Sequence, residues 1–427
     1  MSPRHSLVAA LLLTAATLLP ASTASAAHAA TVDDLGRKAA GRTFYVDPLL
    51  GSDRASGRGP LAAWRSLTKV SAGGLRPGDT VLLRAGRRHR GGLDLRVDGT
   101  RSRPVTVGRY GRGARPVVAQ GGCVTLRGDW TRVVGLAAVR CGRAGFTVEG
   151  AHVLLRDVFA TDNVAGIWIR EGASYATVSD SVLRDNDRMA GGTPGPDDDY
   201  GAFGVEVNGD HARVTRNIIS GNRARSADYG EDGSAVEVYQ AVGTTIDHNR
   251  SIDNLAFTEL GGKRTRGTRV AYNSVRSSLR AGSFLMTRGP GQTWGPVVGT
   301  VAEHNTVRLT GAKSFGFGCY GGCTPKILTL RRNVIVAGWS AGWADGTFAS
   351  AQNIYGGEIW FDLARTDSTA SPRFVDAARG DLRLAPGSPA LDRVASAAWG
   401  TDVNGRSLPR DGDGDGIARV DLGAYER

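Results

Sequence analysis

Lysine is scarce in this sequence: only 5 of the 53 basic residues are Lys and 48 are Arg, against 41 acids. The formal charge of +12 permits an acidic partner such as nucleic acid, an anionic glycan or a charged surface, and equally a solvated arginine-rich surface. No basic run is interleaved with aromatics, which argues against nucleic acid. Long hydrophobic runs are missing too. The apolar stretch Leu7 to Leu19 is shorter than the ~20 residues a membrane helix requires, so no membrane span is expected. Helical periodicity is almost absent between residues 120 and 340. None of the seven His stands at ligand spacing from the cysteines, so zinc is a poor reading of them. Sixty glycines are abundant, but 16 prolines and 41% hydrophobic residues are ordinary, which excludes collagen and a disordered chain.

The first segment reads as a secretory leader. Arg4 and His5 precede the apolar stretch, and Pro20 and small residues ending in Ala24-Ser25-Ala26 follow it. Removing residues 1–26 takes away Arg4 and no acid, lowering the charge from +12 to +11. The expected location is secreted and extracellular, where disulfides persist. The four cysteines allow three connectivities; the pairs Cys319–Cys323, around Tyr320-Gly321-Gly322, and Cys123–Cys141, about one repeat apart, are favoured.

Repeats predict the fold. An aliphatic, two polar positions and Asn recur as Val214 to Asn217, Ile246 to Asn249, Val270 to Asn273, Ala302 to Asn305 (with Ala as the aliphatic) and Leu330 to Asn333. Looser copies end at Asp157 and Ser181, and a second Asn often follows (Asn163, Asn186, Asn222, Asn254). Short alternating segments precede these phrases: Val124–Leu126, Phe146–Val148, Ile167–Ile169, Val205–Val207, Val236–Val238 and Thr258–Leu260. Alternation over so few residues is a half-buried strand. Self-similarity at 20–35 residues with several short strands per unit predicts an all-β parallel β-helix solenoid. Asn at one turn position can bond its equivalent in the next coil and tolerates a left-handed backbone there.

The opening Thr43-Phe-Tyr-Val-Asp47, Gly51-Ser-Asp53, Trp64 to Leu67 and Leu75 to Leu83, with the closing Pro372 to Asp376, Gly380 to Leu384, Gly387 to Ala390 and Asp421 to Glu426, resembles secreted right-handed parallel β-helix proteins of the pectate-lyase-like superfamily over about residues 40–426. The expected organisation is a leader (1–26), a linker (27–42) and a β-helix (43–395). The β-helix divides into opening coils and cap to 120, regular coils over 121–345 and closing coils over 346–395. An Asp/Gly-rich C-terminal segment (396–427) is expected to pack on the helix. The scaffold hosts lyases, hydrolases, epimerases and inert binders, so the resemblance speaks for fold more than reaction.

Aligned strands place Thr125, Thr147, Trp168, Glu206, Glu237, Glu259, Leu285 and Gly316 at one outward position. Coils ~4.8 Å apart would stack Glu206, Glu237 and Glu259, so their pKa values should be pushed apart or a cation should neutralise them. An insertion, Arg188 to Ala202, carries Asp198, Asp199 and Tyr200, and a second acidic stretch carries Tyr229 and Asp232; loops of this size can wall a cleft. Trp168, Tyr200, Tyr229 and Tyr239 offer flat faces for sugar rings, with Trp294 and Tyr320 as extensions. Arg170, Lys263, Arg264 and Arg288 supply cations for an anionic chain. The expected partner is a polysaccharide and the expected assembly a monomer.

Two chemistries use such a column. In β-elimination at a uronate, the C6 carboxylate is neutralised and a base removes the C5 proton. The resemblance implies calcium on Glu206, Glu237 and Glu259 with Arg288 or Lys263 as base. In glycoside hydrolysis two carboxyls act ~5 Å apart, or ~6.5–9.5 Å apart. The reading leans to the lyase, with a non-catalytic glycan- or cell-wall-binding protein as a further alternative. A Gly-His-Gly segment and an Arg-Pro-x-x-Arg signature are both missing, which separates the chain from polygalacturonases and the best-known pectate lyases. Finally, Asp411-Gly-Asp413-Gly-Asp415-Gly416 resembles the first half of a calcium loop, with Asp421 as the closing ligand of a structural ion.

Overall fold

The structure, a computed structural model, describes residues 41–121, 123–191, 194–195, 198–395 and 399–427. The expected leader and nearly all of the linker lie outside the described residues, as do Gly192, Pro196 and Asp197 of the insertion.

The chain winds into a right-handed parallel β-helix. Each regular coil lays short strands on three faces. One such coil uses Arg213–Thr215, Ile218–Ser220 and Ser234–Tyr239. The first face is a 12-stranded parallel sheet beginning at Thr43–Val46 and ending at Ala349–Ala351; the other two share a 20-stranded network. Strands stay short, three to six residues in this coil, because the chain turns a corner after each. The alternating aliphatics point inward: Val205, Val207, Val236, Val238, Leu260 and Leu285 are fully buried behind one face. Each such side chain contributes about 1.5–3 kcal/mol relative to exposure.

The recurrent Asn residues form a ladder. The Asn217 side chain donates from Nδ2 to Asn249 Oδ1 at 3.0 Å, and Asn249, Asn273, Asn305, Asn333 and Asn353 continue the series at 2.9–3.0 Å. Each Nδ2 also donates to a backbone carbonyl, as Asn249 does to Val214 at 2.8 Å. A second ladder runs from Asn163 through Asn186 and Asn222 to Asn254. The left-handed corner, however, is not at Asn. It falls one residue earlier, at Arg216, His248, Tyr272, His304, Arg332 and Gln352, with φ between 49° and 59°. The amide must face its neighbours in the adjacent coils, so the preceding residue takes the turn.

A short helix, Leu67–Ser71, lies beside the opening coils, with Leu67 and Val70 buried and Ser66 Oγ accepting from the Lys69 N–H at 3.1 Å. The C-terminal segment lies along the flank: the Tyr425 hydroxyl bonds Ser274 Oγ at 2.7 Å, and His248 Nε2 meets Thr401 O at 3.0 Å. Both expected disulfides are formed, Cys123–Cys141 and Cys319–Cys323. No described helix is long and apolar enough to cross a membrane.

Candidate functional site

Strand register builds the site. Trp168 pairs with Glu206, Glu206 with Glu237 and Glu237 with Glu259 across successive parallel strands. The three glutamates therefore stand ~4.8 Å apart along one outward column. The register then passes through Met286, Gly318, Trp343 and Trp360. This corrects the expected positions of Leu285 and Gly316. Leu285 pairs with Thr258 and is fully buried, and a Cβ at Gly316 would meet the Ile335 side chain in the interior. The run Phe284-Leu285-Met286 hides the alternation, because the next inward residue is the polar but buried Thr287.

Two hairpin arms rise beside the column, Met189–Ala190 with Tyr200–Gly201 and Ala224–Ser226 with Gly230–Asp232. They are knitted together by carboxylates. Asp199 Oδ2 accepts from Ser226 Oγ at 2.7 Å and from the Ala227 N–H at 2.6 Å, while Asp228 accepts from the N–H groups of Gly195, Asp198 and Asp199. With the loop of Trp294, the arms enclose a cavity of about 1030 Å³ floored by Glu206, Glu237, Glu259 and Met286. Tyr200 (42% exposed), Tyr229 (52%) and Trp294 (44%) stand in its walls.

The floor is electrostatically uneven. Glu206, 12% exposed, meets Arg143 Nη2 at 2.7 Å, yet burial outweighs the arginine and pushes its carboxyl up to about 7. Glu237 is raised well above the usual carboxyl range, first by burial, then by the charges of Glu259 and Asp232. The Ser234 hydroxyl, donating to its Oε2 at 2.8 Å, only partly offsets this. Asp232 is pushed up to about 7 by burial, against the Gly233 N–H it accepts and with the help of Glu259 and Asp199. Glu259 is different: it accepts from the Arg288 guanidinium and from the Tyr239 hydroxyl at 3.2 Å. Burial opposes the charge on Arg288, but Glu259 holds this guanidinium above its ordinary range, and its Nη1 also donates to Leu260 O at 2.8 Å. An arginine so held is a poor proton acceptor.

The structure brings Asp198, Asp199, Tyr200, Tyr229, Asp232, Tyr239 and Arg288 to the cavity with the three glutamates. Trp168 stands just beyond it, donating from Nε1 to Asn208 Oδ1 at 2.7 Å. Arg170 pairs with Glu149 at 2.8 Å and stacks on Trp168, and Arg264 pairs with Asp210. Lys263 is exposed, and neither it nor Arg264 lines the cavity. Sequence reasoning missed Arg143, whose guanidinium lies between the rings of Trp168 (4.2 Å) and Tyr200 (4.6 Å). It precedes Glu206 by 63 residues, and no local pattern marks it.

A divalent cation does not fit the glutamate column. Two of its three carboxylates are already neutralised by Arg143 and Arg288, which would repel a metal. In the C-terminal loop, Asp392, Asp411 and Asp413 bring carboxylate oxygens within 4.8 Å of one another. Asp392, which the sequence pattern does not mark, faces Asp411 and Asp413. Asp421 instead accepts from the N–H groups of Asp392 (2.8 Å) and Arg427 (2.9 Å), and Asp415 pairs with Arg419 at 3.1 Å.

Over 90% of its length the chain matches the crystal structure of pectate lyase Pel9A, covering 96% of that chain with a TM-score of 0.61 at 16% identity. The fold is a parallel β-helix, shared with this pectate lyase. The GH136 lacto-N-biosidase from Eubacterium ramulus matches with a TM-score of 0.50 at 15% identity, covering 76% of this chain and 68% of that one. In sequence, 127 residues (28% of the chain) are 33% identical to a lacto-N-biosidase of Bifidobacterium longum, and the match spans 8% of that protein's length. No family model matches.

Proposed function

We propose that this protein is a secreted glycoside hydrolase acting on a neutral glycan, with Glu237 as general acid and Glu259 as nucleophile. The observation that carries the reading is the opposite environment of these two register partners. Burial and like charge favour the proton on Glu237, whereas Glu259 is paired with the Arg288 guanidinium and accepts from the Tyr239 hydroxyl. Adjacent coils set such carboxyls ~5 Å apart, the separation used for a covalent glycosyl intermediate. Secretion is supported by the leader-like residues 1–26 and the two disulfides.

The steps follow from these roles. Glu237 protonates the glycosidic oxygen as the bond to the anomeric carbon breaks. The Glu259 carboxylate then bonds to that carbon. Glu237, now anionic, takes a proton from water, and the resulting hydroxyl displaces Glu259. Seven described lining residues are acids and two are arginines, both already paired. That balance disfavours a uronate chain, and Arg288, held in its pair with Glu259, is a poor base for elimination. The lacto-N-biosidase matches lend the hydrolase reading support without specifying this substrate.

The test is digestion of neutral and uronate polysaccharides by wild type and Glu237→Gln. The reading expects new reducing ends from a neutral glycan, abolished by the substitution. Unsaturated uronate ends would overturn it.

A further inference from the structure

We infer that the same outward column carries a second glycan-binding surface, a strip of aromatic rings running from the cavity toward the C-terminal coils. The inference rests on the hydrolase reading for its occupant: a neutral polysaccharide extending out of the cavity along the helix axis.

The column changes character below Glu259. Its next positions are Met286, Gly318, Trp343 and Trp360. Gly318 leaves a gap that a ring fills, since a Cβ there would fall 2.8 Å from the Tyr320 ring. The Tyr320 hydroxyl reaches Met286 Sδ at 3.1 Å, and its ring centroid lies 5.5 Å from that of Trp343. Cys319–Cys323 closes the turn that holds Tyr320. Trp360 pairs in register with Trp343 and meets Trp339 edge to face at 4.6 Å. Methionine, tyrosine and tryptophan thus replace carboxylates over four successive coils, roughly 14 Å from the first to the last at ~4.8 Å per coil.

These rings are not core. Trp343, Trp360 and Trp339 are 37%, 38% and 40% exposed. Trp343 and Trp360 stand on the column with Trp339 at the corner beside them, and rings so exposed together form a patch of the kind that marks a binding site. Aromatic faces suit the apolar faces of sugar rings, and no described charge stands on the strip at these column positions. It continues directly from Met286, which belongs to the cavity floor.

The test uses the Glu237→Gln protein, so that binding is read without turnover. It is run in native gels cast with soluble arabinoxylan, galactomannan or mixed-linkage β-glucan. The parent should be retarded in at least one gel. Adding Trp343→Ala or Trp360→Ala should raise the apparent Kd roughly three- to tenfold, and Trp343→Phe should recover most of the loss. Circular dichroism and Tm confirm that each variant is folded. Retardation unchanged by both alanines, or no retardation of the parent in any gel, overturns the inference. Tryptophan-dependent retention without product release by wild type would sink the hydrolase reading and leave the strip standing. Product release with tryptophan-independent retention would do the reverse.

Discussion

Arg288 is ion-paired with Glu259, and Glu237, one coil away, has no such partner among the described residues. In the proposed mechanism this asymmetry divides a column of like residues into an acid and a nucleophile. Separate arginines pair with the two ends, Arg143 with Glu206 and Arg288 with Glu259, while burial and the neighbouring acids raise the middle rung well above the usual carboxyl range.

Replacing Glu237 by Gln should lower turnover by at least about 10³-fold, within the range for a lost acid catalyst. It should also stabilise the fold at neutral pH. The carboxyl is raised in the folded state, so the folded protein holds its proton more tightly than the unfolded chain does. The native side chain therefore costs stability as pH rises from the unfolded pKa toward the folded one. Thermal unfolding should show a Tm gain of about 1–3 °C at pH 8 and little at pH 4. A Tm loss at pH 8 would contradict the assignment.

Arg288→Met should reduce kcat more than Arg288→Lys, since the lysine retains the charge beside Glu259. A kcat unmoved by the loss of charge would separate Arg288 from the reaction.

Chelation should leave turnover unchanged, because arginines neutralise the column that a metal would otherwise occupy. The acids of the C-terminal loop line no part of the cavity. Any effect of calcium should therefore appear in Tm and not in kcat. Loss of turnover on chelation, restored by calcium, is the contrary result.

Asn273→Ala should be among the most destabilising single substitutions. It removes a side chain that accepts from the Asn249 N–H and Nδ2 and donates to Ile246 O and Asn305 Oδ1. Several buried groups lose partners at once, at about 1–3 kcal/mol for each group left unsatisfied. Denaturant melts should show a loss of roughly 3–5 kcal/mol; less than about 1 kcal/mol would mean the ladder is not cooperative.

The solenoid was legible because its period is written in Asn217, Asn249, Asn273, Asn305 and Asn333, each fully or almost fully buried and bonded to the next coil. The glutamate column was legible because each Glu stands between inward aliphatics or Thr. Below Glu259 that signal fails, since outward Met286 and Gly318 look no different from core. The pairings of Arg143 and Arg288 are set by side-chain reach across coils, which no local spacing encodes. The left-handed corner fell one residue from its expected place because the ladder needs the Asn amide for itself.

The most direct measurement is proton NMR of the first products released from a neutral glycan. Carboxyls on adjacent coils predict reducing ends that initially keep the anomeric configuration of the cleaved bond. Initial inversion, or a product with an unsaturated ring, would contradict the assignment of Glu237 and Glu259.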